Sequence, residues 1–411
     1  MRILFVHQNF PAQFQHLARH LAREAGHEVF ALSLHGKEGD TGARLVRYEL
    51  TRGTSRNIQP WVADFESKAI RGEACVRAAR KLRDAGFVPD VIYAHAGWGE
   101  ALFLRDVFPA SALLTYAEFY YRASGQDVGF DPEFPLPDAD EPCRIRARNA
   151  HNLLTLEASD MAIAPTLWQR HTYPERYREL IEVVHDGIDT RRVAPNLQAR
   201  ISLDANQAPL QPGDEVISFV SRNLEPYRGY HVFMRALPEI LRRRPRARAV
   251  IVGGDGTSYG AKPTDGVSWK QRFLREVKPG LDMTRVHFVG QLPYDAYLAL
   301  LQVSACHVYL TYPFVLSWSC IEALAAGCLV VGSATPPVQE VIGHGRNGLL
   351  VDFFDVAALA NSVVEALAAP AAMRPLRAAA RAEAVQRYDL HQACLSRQLA
   401  LIKSLATRAG S

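Results

Sequence analysis

Two arginines stand where an anionic ligand could use them. Arg222 closes the apolar run "EVISFVSR", and Arg228 follows just before Gly229 and a stretch of helical periodicity. Two guanidinium groups at a strand C-terminus can clamp a diphosphate through charge-assisted hydrogen bonds. The plainer reading is a pair of solvated loop arginines. A second cluster opens a helix. The turn "SWS" (Ser317, Trp318, Ser319) leads into "CIEALAAG". Ser319 and Glu322 fit the capping box S-x-x-E, with Ser319 as N-cap and Glu322 reaching back to it. The same helix start presents unpaired N–H groups and a partial positive charge, which favour a phosphate. Glu322, one turn in, is then placed to accept hydrogen bonds from ribose hydroxyls. Both readings stand on the residues alone.

Weaker candidates surround these. Gly253 and Gly254 end the run "RAVIVGG". They lack the spacing of a dinucleotide fingerprint, so they serve either a tight turn or the close approach of a ligand. His95 closes the apolar run "DVIYAH", with Gly97 and Gly99 keeping the following loop open. Glu118 and Tyr120 follow "ALLTYA", a carboxylate and an aromatic that suit a sugar or ordinary half-buried packing. Asp138 and Asp140 form a D-x-D in a Pro-rich loop with no strand before it, which reads as a solvated turn, and no metal site is assigned. The basic runs "LRRRPRAR" and "RIRAR" read as solvated faces. Peripheral contact with a membrane face stays open.

These residues need a frame to hold them. With 411 residues the chain exceeds one compact core, so two domains are expected. Hydrophobic residues make up 48% and charged residues 22%, the balance of a soluble globular protein. A net charge of +4 gives no case for a nucleic-acid partner. "MRILFV" reads as a first strand rather than a secretory leader. No apolar run approaches the roughly 18–20 residues of a membrane span. The expected location is therefore cytoplasmic. The six cysteines lack metal or disulfide spacing and read as reduced thiols. Short apolar runs alternate with helical patterns in two series. This predicts an α/β fold of parallel sheets covered on both faces. Domain boundaries are placed at 1–185, 186–385 and 386–411, the last an Ala- and Arg-rich helix. Whether that helix returns to the first domain stays open. A cleft between two such domains is the natural ligand site.

Six segments appear in a fixed order: "GHEV", "VVHDGID", "SRNLEPYRG", "VHFVGQLP", "SWSCIEALAAGCLVVGS" and "PPVQEVIGHGRNGLLV". In this order and setting the chain resembles the family 4 glycosyltransferases, over nearly its whole length. The resemblance implies the GT-B fold, two Rossmann-like doubly wound domains facing each other across a cleft. It implies that Arg222 and Arg228 bind the donor phosphates and that Glu322 binds the ribose. His95 lies near the transferred sugar. Phe314, Val315, Leu316, Ser317 and Trp318, with Ser319, contact donor sugar and diphosphate largely through backbone N–H groups. Gly290, Gln291 and Leu292 line the nucleobase, and Gly253 and Gly254 lie on the nucleotide side.

Two departures from the family pattern stand out. Phe314 occupies the place of the first glutamate of the Glu-x7-Glu motif. The first loop reads "FPAQFQ" where a glycine pair is usual, which leaves His7, Gln8 and Asn9, with Glu118 and Tyr120, as acceptor-side candidates. The implied function is retaining, metal-independent transfer of a hexose-type sugar from a nucleoside diphosphate sugar, UDP or GDP, to an acceptor hydroxyl. The acceptor is a glycan, a lipid-linked sugar or a small molecule, and no further cofactor is expected. The rivals are a non-catalytic sugar-nucleotide-binding protein, suggested by Phe314, and a GT-B sugar-nucleotide epimerase.

Overall fold

Strand β1 (Arg2–Val6) shows how the sheet is built. Ile3 and Phe5 point into one core while Leu4 and Val6 point into another, and all four are fully buried. A strand buried on both faces needs apolar residues at both parities, which is why these runs are continuous rather than alternating. The computed structural model describes all residues except 38, 40, 136, 137, 204–207, 410 and 411; for 408 and 409 only the backbone is described.

The chain forms two compact units, Met1–Gly187 with Leu390–Ser411, and Ile188–Asp389. The first is a parallel sheet of β1, β2 (Glu28–Ser33), β3 (Arg44–Arg47), β4 (Val91–His95), β5 (Ala112–Tyr116), β6 (Met161–Ala164) and β7 (Ile181–Val183). The spatial order is β3-β2-β1-β4-β5-β6-β7. The second is a parallel sheet of β8 (Val216–Asn223), β9 (Arg248–Gly254), β10 (Val286–Gly290), β11 (Cys306–Tyr309), β12 (Val330–Ser333) and β13 (Leu349–Val351). Its order is β10-β9-β8-β11-β12-β13. In each unit the order reverses beside the first strand, β1 and β8. Such switch points are where doubly wound folds leave a crevice beyond the strand C-termini.

The expected central strands are all present. β3, β7 and β13, absent from the expectations, are three- or four-residue strands in which most side chains are partly or fully exposed. Each lies at a sheet edge, where periodicity is weakest. The helix Leu395–Ala409 belongs to the first unit, and Leu390, Leu395, Ile402 and Leu405 fill the core under Phe5 and Tyr93. Gly187 has φ +91°, and a Cβ there would lie 2.8 Å from Leu390 Cδ1, so glycine lets the outgoing and returning segments pass. All six cysteines are free thiols, and only Cys143 is exposed. No helix among the described residues is long and apolar enough to cross a membrane.

Candidate functional site

In the second unit the site is built around Arg228. Gly229, at φ +68°, turns the chain into the helix Tyr230–Arg243, and a Cβ on it would stand 2.3 Å from Leu310 Cβ. This close approach folds Arg228 inward, where it is 7% exposed. Its Nη1 donates to Thr311 Oγ1 at 2.9 Å and to the Val315 carbonyl at 3.0 Å. The guanidinium lies 5.1 Å from the Tyr259 ring and 6.0 Å from the Phe314 ring. It forms no ion pair among the described residues. The reading of Arg228 as a solvated loop arginine therefore fails. Arg222, near the end of β8, is exposed.

Phe314 is 5% exposed and packs edge-on against Tyr227 and Tyr259 at 5.6 and 5.1 Å. An apolar ring at this position is thus held by its own aromatic neighbours. Tyr259 in turn is held by Glu225. The buried Glu225 carboxylate accepts the N–H groups of Ser258, Tyr259 and Gly260 at 3.0–3.3 Å. Asn223 adds an acceptor for Gly256 N–H and a donor to Ser258 Oγ. The Gly-rich loop thus turns several of its N–H groups onto its own side chains. Gly253 and Gly254 have a packing reason: Cβ atoms there would lie 2.8 Å from Leu224 and 2.5 Å from Asn223. Gly290, at φ +66°, ends β10 with open space where its Cβ would be. Gln291 beyond it is exposed and Leu292 half-buried.

The capping box does not form. The helix is Trp318–Ala325, and its N-cap is Ser317 rather than Ser319. Ser317 Oγ accepts the Ser319 N–H at 3.3 Å. Glu322 therefore sits too far into the helix to reach the cap. Its carboxylate instead accepts the phenols of Tyr294 at 2.7 Å and Tyr297 at 2.8 Å. Burial pushes its carboxyl above the usual range, and the two phenols pull it back. The loop also uses some of its own donors. Ser317 N–H goes to the Tyr309 hydroxyl at 2.8 Å, whereas Val315 and Leu316 N–H have no partner among the described residues. Leu316 is buried, and Trp318 packs half-buried on the same core.

The first unit assembles a polar network. His95, 1% exposed, closes β4, and its Nδ1 accepts the Gly97 N–H at 3.0 Å. Its ring stacks on Trp98 at 4.2 Å and lies 5.0 Å from the His7 ring. His7 Nδ1 accepts the Asn9 N–H at 2.9 Å, which leaves Nε2–H to donate to Gln13 Oε1 at 2.8 Å. Gln13 Nε2 donates to Glu118 Oε1 at 3.2 Å. The structure thus joins His7 to Glu118 through Gln13, with the His95 ring against His7. Gln13 and Trp98 were missed from sequence. The only signal for Gln13 was its place in the departing first loop. Burial lowers both histidines, His7 to about 4, so both are neutral at pH 7. Asn9 is exposed at the rim, and Gln8 bonds through its carbonyl to Ser33. Tyr120 packs toward Tyr173, and its N–H bonds to Thr172. Asp138 pairs with Arg144 and accepts the Asp140 N–H, as a turn at a helix start does.

Comparison with known proteins falls on both units. Residues 25–193 match the family model for the glycosyl transferase family 4 group, and residues 203–385 match that for glycosyl transferases group 1. The chain is 26% identical to the glycogen synthase of Mycobacterium tuberculosis, over 95% of this chain and 91% of that protein. It is 24% identical to the D-inositol 3-phosphate glycosyltransferase of Corynebacterium efficiens, over 69% of this chain and 64% of the other. Among solved structures, the sucrose-phosphate synthase of Thermosynechococcus elongatus superposes over all of both chains, with TM-score 0.70 and 18% identity. Anabaena HepE in complex with UDP and glucose superposes over 98% of this chain and 99% of that one, with TM-score 0.66 and 17% identity. These two likenesses carry the GT-B fold of two Rossmann-like domains.

Proposed function

This chain belongs to the family 4 glycosyltransferases, and on that premise we propose that it moves a hexose-type sugar from a nucleoside diphosphate sugar to an acceptor hydroxyl with retention at the anomeric carbon. The observation that carries the reading is Arg228. The buried guanidinium bonds only to neutral oxygens, and the carboxylate that acts on it, Glu225, is already engaged by three backbone N–H groups. A donor diphosphate supplies a further counter-charge. Arg222 is the exposed second cation on the same strand end. The N-terminus of the helix Trp318–Ala325 and the Val315 and Leu316 N–H groups add positive potential.

The chemistry follows from where charge grows. As the glycosidic bond stretches, negative charge builds on the leaving diphosphate, and fixed cations stabilise it before any rearrangement is needed. The leaving phosphate then takes the acceptor proton on the same face. Glu322, fixed by two phenols, retains lone pairs for ribose hydroxyls. His95 is neutral, so its part is to donate a hydrogen bond. No step requires a metal. UDP or GDP is the expected base carrier, because relatives and structural neighbours include a GDP-mannose-dependent mannosyltransferase and a UDP complex.

A thermal-shift screen of UDP-, GDP-, ADP- and dTDP-sugars tests the donor class, since a bound donor raises apparent stability. Release of nucleoside diphosphate, unaffected by EDTA, then separates a transferase from a non-catalytic binder. Arg222→Ala should lower turnover by roughly 100- to 1,000-fold, the effect of losing one strong transition-state donor. Unchanged turnover, or no stabilisation by any donor, removes the proposal.

A further inference from the structure

The first unit gathers positive charge with little to balance it. Lys68, on the helix Ala63–Asp84, is buried, its side chain 8% exposed. Arg71 lies one turn further along the same face. Gly99, at φ +103°, lets the turn after β4 rest on this helix, since a Cβ there would stand 2.3 Å from the Lys68 carbonyl oxygen. Arg71 reaches that turn and donates to the Trp98 carbonyl at 3.4 Å. Arg148 enters from the end of the helix Glu141–Arg148. Its guanidinium lies 4.0 Å from the Tyr121 ring, and Asn149 fixes the Tyr121 backbone through both its N–H and its carbonyl, at 3.0 and 2.7 Å. Burial lowers the Lys68 ammonium, and the charges of Arg148 and Arg71 lower it further, against the pull of Asp64. The His151 ring, bonded to the Arg148 carbonyl, is lowered to about 3 by burial and then by Lys68.

Asp64 is the only carboxylate bonded to any of the three cations among the described residues. Glu100 also acts on Arg71, but burial raises it and one of its oxygens holds the Tyr48 phenol at 2.7 Å. The helix dipole accounts for Arg148 at a helix C-terminus, but not for three cations brought together. Like charges held half-buried are costly until an anion joins them. The Asp64 side chain is 46% exposed, so a solute reaches the pair. Two guanidinium forks and an ammonium suit an anion with several oxygens. A phosphate monoester presents three terminal oxygens and close to two negative charges at pH 7, more than a carboxylate does. We propose that Lys68, Arg71 and Arg148 form a phosphate subsite, and that the acceptor of this chain carries a phosphate monoester held there. The subsite adjoins the polar network at the end of β4, because Trp98, whose carbonyl Arg71 holds, stacks on His95. The acceptor assignment rests on the glycosyltransferase reading, whereas the subsite stands on its own residues.

Inorganic phosphate is the probe. It is titrated by calorimetry, at constant ionic strength, into the full chain both nucleotide-free and saturated with UDP. The UDP-saturated protein should bind phosphate. Arg71→Gln and Arg148→Gln should each weaken that binding by about tenfold or more, the effect of losing a charge-assisted bond. Arg80→Gln removes the same charge from an exposed position on the same helix and should leave the affinity unchanged. Acetate should bind at least about tenfold more weakly than phosphate. Without phosphate, the two site variants should melt no lower than the wild type, since each relieves repulsion, whereas a purely structural role would lower melting and spare the affinity. Absence of phosphate binding, binding that survives both site variants or falls equally with Arg80→Gln, or acetate bound as tightly overturns the subsite. Displacement of phosphate by UDP puts it at the donor site and overturns the acceptor assignment. A chain that does not bind UDP counts against the donor reading instead, and the nucleotide-free titration of the same variants still decides the subsite.

Discussion

Arg222 and Arg228 share a residue type and a strand end but not an environment. Arg222 is exposed, so its removal touches little of the fold. Arg228 is buried and satisfies Thr311 Oγ1 and the Val315 carbonyl. Arg222→Ala should therefore change unfolding free energy by no more than about 0.5 kcal/mol. Arg228→Met should cost about 1–3 kcal/mol, because two acceptors lose their donor. Urea unfolding of the two variants checks this, and equal stability losses would mean that Arg228 is not structurally engaged. The arginines were legible as residue types at a strand end. Their opposite burial was not, because it depends on Leu310, Thr311 and Val315, more than 80 residues away in the chain.

At the scale of elements, one glycine and one carboxylate shape the candidate site of the second unit. Gly229→Ala would force a Cβ onto Leu310 at a positive φ. The expected cost is about 3 kcal/mol, combining backbone strain with overpacking. Pairing it with Leu310→Gly, which removes the clashing Cβ itself, should give a double variant less destabilised than the sum of the singles, measured by a double-mutant cycle. Strict additivity would show that the contact is not the cause. The capping signal is the instructive error at this scale. S-x-x-E was present, but the cap formed two residues earlier at Ser317. Two tyrosines from the helix Tyr294–Val303 then took the carboxylate that a local rule would have spent on the cap.

For the whole molecule, buried histidines govern the response to acid. His7, His151, His185 and His307 are lowered by burial to about 4, 3, 4 and 4. His95 is lowered as well. Each takes up a proton near pH 6.5 when unfolded but resists it when folded, so stability is intact above pH 6.5 and falls below it. The slope is about 1.4 kcal/mol per pH unit for each group, until its folded value is reached. Glu100 and Glu322, raised by burial, act in the opposite sense, but the histidines outnumber them. The melting temperature should drop steeply between pH 6.5 and 5. A flat profile would mean that these rings are open to water.

What the sequence determined by itself was whatever is written in neighbouring residues. Continuous apolar runs specified strands covered on both faces, their alternation with helical periods specified two doubly wound units, and ordered motifs singled out Arg222 and Arg228. Tertiary structure decided the partnerships. Gln13 meets Glu118 across 105 positions, Tyr294 meets Glu322 across 28, and Arg228 reaches Thr311 across 83. Local pattern cannot encode such pairs. A hydrogen bond between distant segments exists only once packing has fixed both backbones, and burial then decides which atoms may be left for a ligand.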